Sequence, residues 1–340
     1  MVKGIKIRLE IHKILFFIYK FNKTLNCSSI KKIINKQKKE DISFLYNVTL
    51  NSMRLHLHCL KIINQFIKKK MRDQERVLLI SAVTQIVFLN FKEYAVINCS
   101  VEIAKKLKSY PGFINAILKK IASNKNALRK VKIDPSDLPN WFQENTTFLS
   151  NYEKKKFINS FYKEPDIHIV FKNEDGLNKF EDSLIKTSNI SGFLLEKKDI
   201  QAKKSFARGD WWVQDFSSFL PLHNFKEKNE NEKFLDTCAA PGGKSFQILS
   251  KKLNIILNDK SIARIKTLKL NLNRLNLKAK ILNEDFTKFN NTEKYDVIII
   301  DAPCSAIGTI RKNPEIFFKN RSPNFTKLIS LQKKMLEKAS

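Results

Sequence analysis

Glycine and proline are scarce, 8 and 9 among 340 residues. Such usage excludes collagen-like and loop-dominated architectures. The five cysteines (Cys27, Cys59, Cys99, Cys238, Cys304) are widely spaced and form no C-x-x-C pair. They are too few to staple a chain of this length and wrongly spaced for a zinc finger, so a reducing compartment without a metal site is expected. Long hydrophobic runs are missing as well. The longest apolar stretch, Val77 to Phe91, is interrupted by Thr84, Gln85 and Asn90; it falls short of the ~20 residues that span a bilayer and reads as a core helix. Near the basic N-terminus, Ile14 to Tyr19 is short, flanked by Lys13 and Lys20 and not followed by a small-residue cleavage site, so no signal peptide is expected. These absences together predict a cytoplasmic protein with no membrane contact.

The remaining deficit is negative charge. Sixty-three Lys+Arg face 33 Asp+Glu, a formal net charge of +30, which must generate a positive field able to draw in a polyanion such as RNA or DNA. Only 10 of the basic residues are arginine, and Asn, Ile and Phe are abundant, the imprint that A/T-rich coding leaves, so part of the lysine excess measures the genome. With 43% hydrophobic residues and 26 Phe the chain can bury two or three cores, one per domain.

Three stretches differ in pattern. Residues 1–130 carry apolar residues at helical spacing (Leu45, Val48, Met53, Leu57, Leu60, Ile63, Phe66) and predict an all-α bundle that closes with Tyr110-Pro111-Gly112 and a helix from Phe113 to Ala122. Asp134 to Pro139, with two prolines, reads as a linker. Residues 140–208 predict a small α+β subdomain, with strands at Asp166 to Phe171 and Gly192 to Leu195 and a helix from Asp175 to Lys186. In 209–340, strands at Lys233 to Asp236, Asn254 to Leu257, Ala279 to Leu282 and Tyr295 to Ile300 alternate with helices at Lys244 to Lys252 and Ile262 to Leu275, predicting an α/β, doubly wound, Rossmann-like parallel sheet.

Ligands of such sheets bind beyond the carboxyl ends of the strands. The first strand runs into D-T-C-A-A-P-G-G-K, Asp236 to Lys244. Adjacent glycines permit close backbone approach and the helix start offers unpaired N–H groups, but the stretch is neither a P-loop nor G-x-G-x-x-G. Asp259 after the second strand is placed to accept from ribose hydroxyls, and Glu284-Asp285 after the third could face an adenine amino group. Three such features at successive strand ends describe a nucleoside cofactor lacking a pyrophosphate. The fourth strand leads into Asp301-Ala302-Pro303-Cys304-Ser305; Cys304 on this turn is either a thiol that acts at the site or a structural one. His56 and His58 lack the companions of a metal site. Trp211 and Trp212 suit a core more than base stacking, and Lys68-Lys69-Lys70 suits a solvated face that could add to an RNA-facing surface.

Asp236 to Lys244, Asp301 to Ser305 and Arg311-Lys312-Asn313-Pro314-Glu315 together resemble the RsmB/Sun group of S-adenosylmethionine-dependent ribosomal RNA cytosine carbon-5 methyltransferases. Gly209 to Asp215 (G-D-W-W-V-Q-D) resembles the segment preceding that group's catalytic domain. Phe113 to Lys119 resembles its NusB-like RNA-binding domain, and Leu138 to Phe142 the following junction. The resemblance implies S-adenosyl-L-methionine as cofactor, held by Cys238, Ala239, Ala240, Pro241, Gly242, Gly243, Lys244, Asp259, Asp285 and Asp301. It also implies that Asp301 contacts the target base and that Cys304 assists breakdown of the covalent intermediate. The implied partner is small-subunit (16S) ribosomal RNA, bound by a monomer; transfer RNA is the alternative substrate, and a non-catalytic RNA-binding protein that retains the cofactor fold the alternative class. The group's attacking nucleophile lies in a T-C-S segment after a further strand. No T-C-S occurs in these 340 residues, so the nucleophile is expected beyond Ser340 and the methyltransferase domain is expected to be truncated at its C-terminus, a catalytically altered member being the other reading.

Overall fold

A computed structural model of the chain describes residues 3–67, 70–196, 200–227, 229, 231–290 and 293–340. Contacts divide it into two units, Met1–Pro165 with Ala306–Pro323, and Asp166–Ser305 with Asn324–Ser340.

The first unit is helical. Its long N-terminal helix, Lys3–Phe21, buries Ile7, Ile11, Ile14, Leu15 and Ile18, a stripe at intervals of three and four residues. Helices Ser28–Asn35, Lys39–Arg54, His56–Phe66, Asp73–Val83, Glu93–Lys106 and Pro111–Ser123 pack around that stripe. The last begins with Pro111 at its first position, where a missing N–H costs nothing. The expected core helix over Val77 to Phe91 is Asp73–Val83 continued by a π-helical turn, Thr84–Phe88. Its buried polar side chains are satisfied within the helix: the Thr84 hydroxyl donates to the Ile80 carbonyl and Gln85 Nε2 to that of Ser81. His56 and His58 serve packing, the first with Nδ1 2.7 Å from the Met53 carbonyl and edge-on to Phe318, the second edge-on to Tyr162.

Two segments of this unit differ from their sequence reading. Asp134 to Pro139, expected as a linker, holds a capped 3-10 turn, Pro135–Asp137. Lys61 pins it through ion pairs to Asp134 at 3.1 Å and Asp137 at 2.7 Å, with Leu138 buried behind. Ala306–Pro323 packs within the helical unit rather than beside the strand it follows. Phe317 is buried among the rings of Trp141, Phe142, Phe157 and Phe161, Phe318 meets Tyr19 and His56, and Arg311 donates to the Glu164 carbonyl at 2.7 Å.

The second unit holds two sheets. The first is antiparallel in the order β2-β3-β1-β4, from β1 (His168–Phe171), β2 (Leu184–Ser188), β3 (Ser191–Leu194) and β4 (Trp211–Val213). The helix expected over Asp175 to Lys186 stops at Asn178, because Phe180 turns in against Phe171 and Trp211 and Leu184–Ser188 pairs with β3. Trp211 and Trp212 are both core residues, 0% and 3% exposed.

The second sheet is parallel in the order β7-β6-β5-β8, from β5 (Lys233–Asp236), β6 (Asn254–Asn258), β7 (Lys280–Leu282) and β8 (Val297–Ile299). Alternate residues enter different cores, as a strand's period of two requires. Phe234, Ile255 and Leu257 join Trp212, Phe246, Leu268 and Leu272 on one face; Leu235 and Ile256 join Phe286, Phe289 and Met335 on the other. Helices Gly243–Ser250, Ile262–Leu275 and Phe325–Ala339 supply these covers, giving the doubly wound α/β layer anticipated from the alternation of elements.

Candidate active site

The carboxyl ends of β5, β6 and β8 are laced together by the segment that follows β5. Thr237 donates from both its amide and its hydroxyl to the Ile299 carbonyl of β8, at 3.0 and 3.1 Å. Ala239 donates to the Asn258 carbonyl of β6 at 2.9 Å, and the Asn258 side chain donates to the carbonyls of Thr237 and Glu284 while accepting from the Glu284 amide. The loop Cys238 to Lys244 therefore rests on fixed supports.

Gly242 has φ +119° and ψ −8°, a conformation suited to glycine. A Cβ there would lie 2.0 Å from Phe246 Cζ, so the Phe246 ring lies against the bare Cα. Behind Gly243 stands Gln214, buried, accepting from Trp212 Nε1 at 2.9 Å and donating to Gln247 at 2.8 Å. The tripeptide Trp212-Val213-Gln214 thus supports the turn from the far side.

Four carboxylates surround the loop. Asp236 is buried at the end of β5, accepting from the Ser245 hydroxyl at 2.7 Å and the Cys238 amide at 3.3 Å. Burial outweighs these bonds and pushes its carboxyl up to about 6. Asp259, 2% exposed, accepts from the amides of Ala240 at 3.2 Å and Ser261 at 2.9 Å and pairs with Arg264 at 3.3 Å. Arg264 also donates to the Ala240 carbonyl, so one side chain ties the loop to the acid. Asp285 caps the turn Phe286–Lys288 and pairs with Lys260 at 2.6 Å; that lysine, then Thr287, hold its carboxyl down at about 2. Asp301, more than half exposed, meets Lys244 at 2.7 Å, bridging the loop after β5 and the turn after β8.

Cys238 is half-buried, and burial first, then Asp259 and Asp236, push its thiol up to about 11. Cys304 is exposed. Its neighbour Pro303 is held by the carboxamide of Gln332, which reaches the Pro303 carbonyl at 3.0 Å from helix Phe325–Ala339.

The arrangement brings Cys238 to Lys244, Asp259, Asp285 and Asp301 to the carboxyl ends of one parallel sheet, and leaves Arg311 to Glu315 in the helical unit. The family model described as 16S rRNA methyltransferase RsmB/F matches residues 224–340, and that of the NusB family matches residues 6–123. Residues 224–340 are thus of the RsmB/F type and residues 6–123 of the NusB type. It is similar to the ribosomal RNA small subunit methyltransferase B of Vibrio vulnificus, 26% identical over 325 residues covering 87% of this chain and 75% of that one. The protein of that name from Shewanella oneidensis is 27% identical over 292 residues, 79% and 67% of the two chains. Among solved structures, PH0851 superposes with a TM-score of 0.68 at 20% identity, over all of this chain and 83% of that one. NSun6 from Pyrococcus horikoshii, solved with SFG, superposes with 0.51 at 17% identity, over 59% and 79%. These two likenesses concern the fold.

Four residues brace this loop to which sequence reasoning gave no role: Asn258, Arg264, Ser245 and, within Gly209 to Asp215, Gln214. Asn258 stands beside the acid that was singled out, and Arg264 lies one helical turn after Ser261. Asn258 had a sequence signal in its place at a strand end and Gln214 in the segment Gly209 to Asp215; the other two had none.

Proposed function

We propose that this chain contributes the cofactor and target-base machinery of an S-adenosylmethionine-dependent methyl transfer to carbon 5 of a cytosine in small-subunit ribosomal RNA. The observation that carries the reading is the convergence of loop Cys238 to Lys244 with Asp259, Asp285 and Asp301 at the carboxyl ends of β5 to β8, inside the region matched by the RsmB/F family model. Ribosomal RNA is the substrate in the names of the two relatives above.

The acceptors present fit the cofactor. Asp259 retains acceptor capacity for ribose hydroxyls beside its two amide bonds and its pairing with Arg264. Asp285, kept ionised by Lys260, can accept from an adenine amino group, and the bare Cα atoms of Gly242 and Gly243 leave the loop backbone open to the methionine part. When bound, the cofactor supplies an electrophilic methyl on a sulfonium. Asp301, aimed by Lys244, accepts from the cytosine edge and fixes the base for attack. Carbon 5 becomes nucleophilic when a thiolate adds to carbon 6. That thiol belongs to a T-C-S segment, which these residues do not contain. After the methyl has moved, the carbon-5 proton leaves and the thiolate at carbon 6 is expelled, a breakdown of the covalent intermediate that Cys304 assists. An unstacked base is required, which favours a loop or opened helix of the RNA. Residues 1–130 bind RNA, the antiparallel sheet β1 to β4 forms the intervening subdomain, and the parallel sheet β5 to β8 with its helices forms the methyltransferase part.

Calorimetric titration with S-adenosylhomocysteine tests the cofactor assignment on the chain as it stands, and a protein that binds none refutes it. The product of the complete reading frame should incorporate labelled methyl into undermethylated small-subunit ribosomal RNA in preference to transfer RNA. Its Cys304→Ala form should accumulate protein–RNA adducts; their absence removes the role given to Cys304. The alternative class is an RNA-binding protein that keeps the cofactor fold as scaffold. It predicts RNA binding without S-adenosylhomocysteine binding.

A further inference from the structure

The helical unit carries a cleft of about 490 Å³ to which the preceding sections assign nothing. Its floor is apolar, formed by Ile67, Met71 and Phe113, and its rim carries Lys70, Arg72 and Tyr110. Tyr110 is 66% exposed, although a tyrosine ring gains by burial. The Arg72 guanidinium carbon lies 5.0 Å from the centroid of that ring, a cation–π arrangement. One buried carboxylate orders both sides. Glu75, 6% exposed, accepts from the Ser109 hydroxyl at 2.6 Å and from the Arg72 amide at 3.2 Å, and pairs with Arg72 Nε at 3.3 Å. Arg72 and the segment leading into Tyr110 are therefore held in place before any ligand arrives, which lowers the ordering cost of binding.

We propose that this cleft takes an unstacked base of single-stranded RNA between Tyr110 and the apolar floor, with the adjoining phosphate held by Lys70 and Arg72. The inference rests on the reading above that the chain's partner is RNA, and adds where the helical unit grips it. The volume admits a nucleobase, the exposed ring beside an apolar floor matches its π-face, and the cationic rim matches the phosphate of the same nucleotide. An apolar peptide would leave Lys70 without a counterpart, and a base-free polyanion would leave the ring and floor without one.

The test is fluorescence anisotropy of the 340-residue chain with a labelled single-stranded oligouridylate and with an abasic strand of equal length, at several salt concentrations. The wild-type chain should prefer the base-bearing strand. Tyr110→Ala should weaken binding of that strand by about 5- to 150-fold, the span of base stacking on an aromatic side chain, and reduce the preference. Tyr110→Phe should retain both. Arg72→Gln should lower the slope of log affinity against log salt by about one, whereas Tyr110→Ala should leave the slope in place. Equal affinity and equal preference in the wild-type chain and Tyr110→Ala, with melting temperatures unchanged, overturn the proposal. Titration with S-adenosylhomocysteine in the same preparations separates the two readings. Intact cofactor binding without a Tyr110 effect removes the cleft alone, and a Tyr110 effect without cofactor binding removes the methyl-transfer reading alone.

Discussion

Replacing Gly242 by alanine is expected to destabilise the second unit by about 2–5 kcal/mol, in two parts that can be measured separately. The first part is backbone strain. At φ +119° an L-residue pays on the order of 1–2 kcal/mol that glycine does not. The second is steric. The new Cβ would stand 2.0, 2.3 and 2.8 Å from three atoms of the Phe246 ring, and Phe246 is 2% exposed and packed edge-on against Trp212 at 5.7 Å, so it has no empty space to enter. Forcing a methyl into such a site costs roughly 1–3 kcal/mol. At ~2–4 °C per kcal/mol for a domain of this size, the transition of this unit should fall by on the order of 10 °C. Hydrogen exchange across Lys233–Ser250 during a thermal series isolates it from the helical unit. Phe246→Leu, combined with Gly242→Ala in a double-mutant cycle, should recover the steric part as a coupling of ~1–3 kcal/mol and leave the strain untouched. S-adenosylhomocysteine affinity should fall in Gly242→Ala because the loop backbone must shift. An unchanged transition refutes the reasoning; destabilisation without coupling to Phe246 refutes its steric half.

Three further outcomes follow from the same geometry. Burial raises the Asp236 carboxyl from 3.8 to about 6, so the folded unit holds a proton that the unfolded chain releases. The stability contributed by that protonated form is fully present below pH ~4 and is lost as pH rises through about 6, roughly 3 kcal/mol in all. Asp236→Asn should melt higher than the wild-type chain at pH 7.5 and level with it at pH 4; parallel pH profiles would show that the acid is not the cause. Asp259→Asn should weaken S-adenosylhomocysteine by about 10- to 100-fold, the range expected for losing a charged hydrogen-bond acceptor, and unaltered calorimetric affinity would remove Asp259 from the cofactor. Phe317→Ala should cost the helical unit ~3–5 kcal/mol and shift Trp141 emission to longer wavelength, because Phe317 is 3% exposed and its ring centroid lies 5.4 Å from that of Trp141. An unshifted spectrum would mean that Ala306–Pro323 does not pack there.

What could be read from the sequence divides along the range of the forces involved. β5 falls on Lys233–Asp236 and the helix after β6 on Ile262–Leu275, both as anticipated, because an apolar period bounded by turn residues is a local signal. The strand ends located Asp259, Asp285 and Asp301 for the same reason. Leu184 to Lys186 carry the helical spacing expected of Asp175 to Lys186, and only pairing with Ser191–Leu194 makes Leu184–Ser188 a strand. The Phe317-Phe318 pair announces burial but not its destination, since no local period says that Trp141 and Tyr19 are its neighbours.

The site shows the same division and gives it a chemical meaning. Each acid picked out at a strand end has a basic partner that the sequence did not link to it: Arg264 for Asp259, Lys260 for Asp285 and Lys244 for Asp301. Asp236 instead rests against the Ser245 hydroxyl and the Cys238 amide, and burial raises its carboxyl although the charge of Lys244 opposes that. A carboxylate that must accept from a ribose or a base has to stay ionised at neutral pH, and a nearby cation favours that form. An acid that only braces the loop can tolerate desolvation. On the function proposed above, the basic partners belong to the acids assigned to ligand and not to the one that braces the turn, a distinction that four aspartates near four strand ends do not carry by themselves.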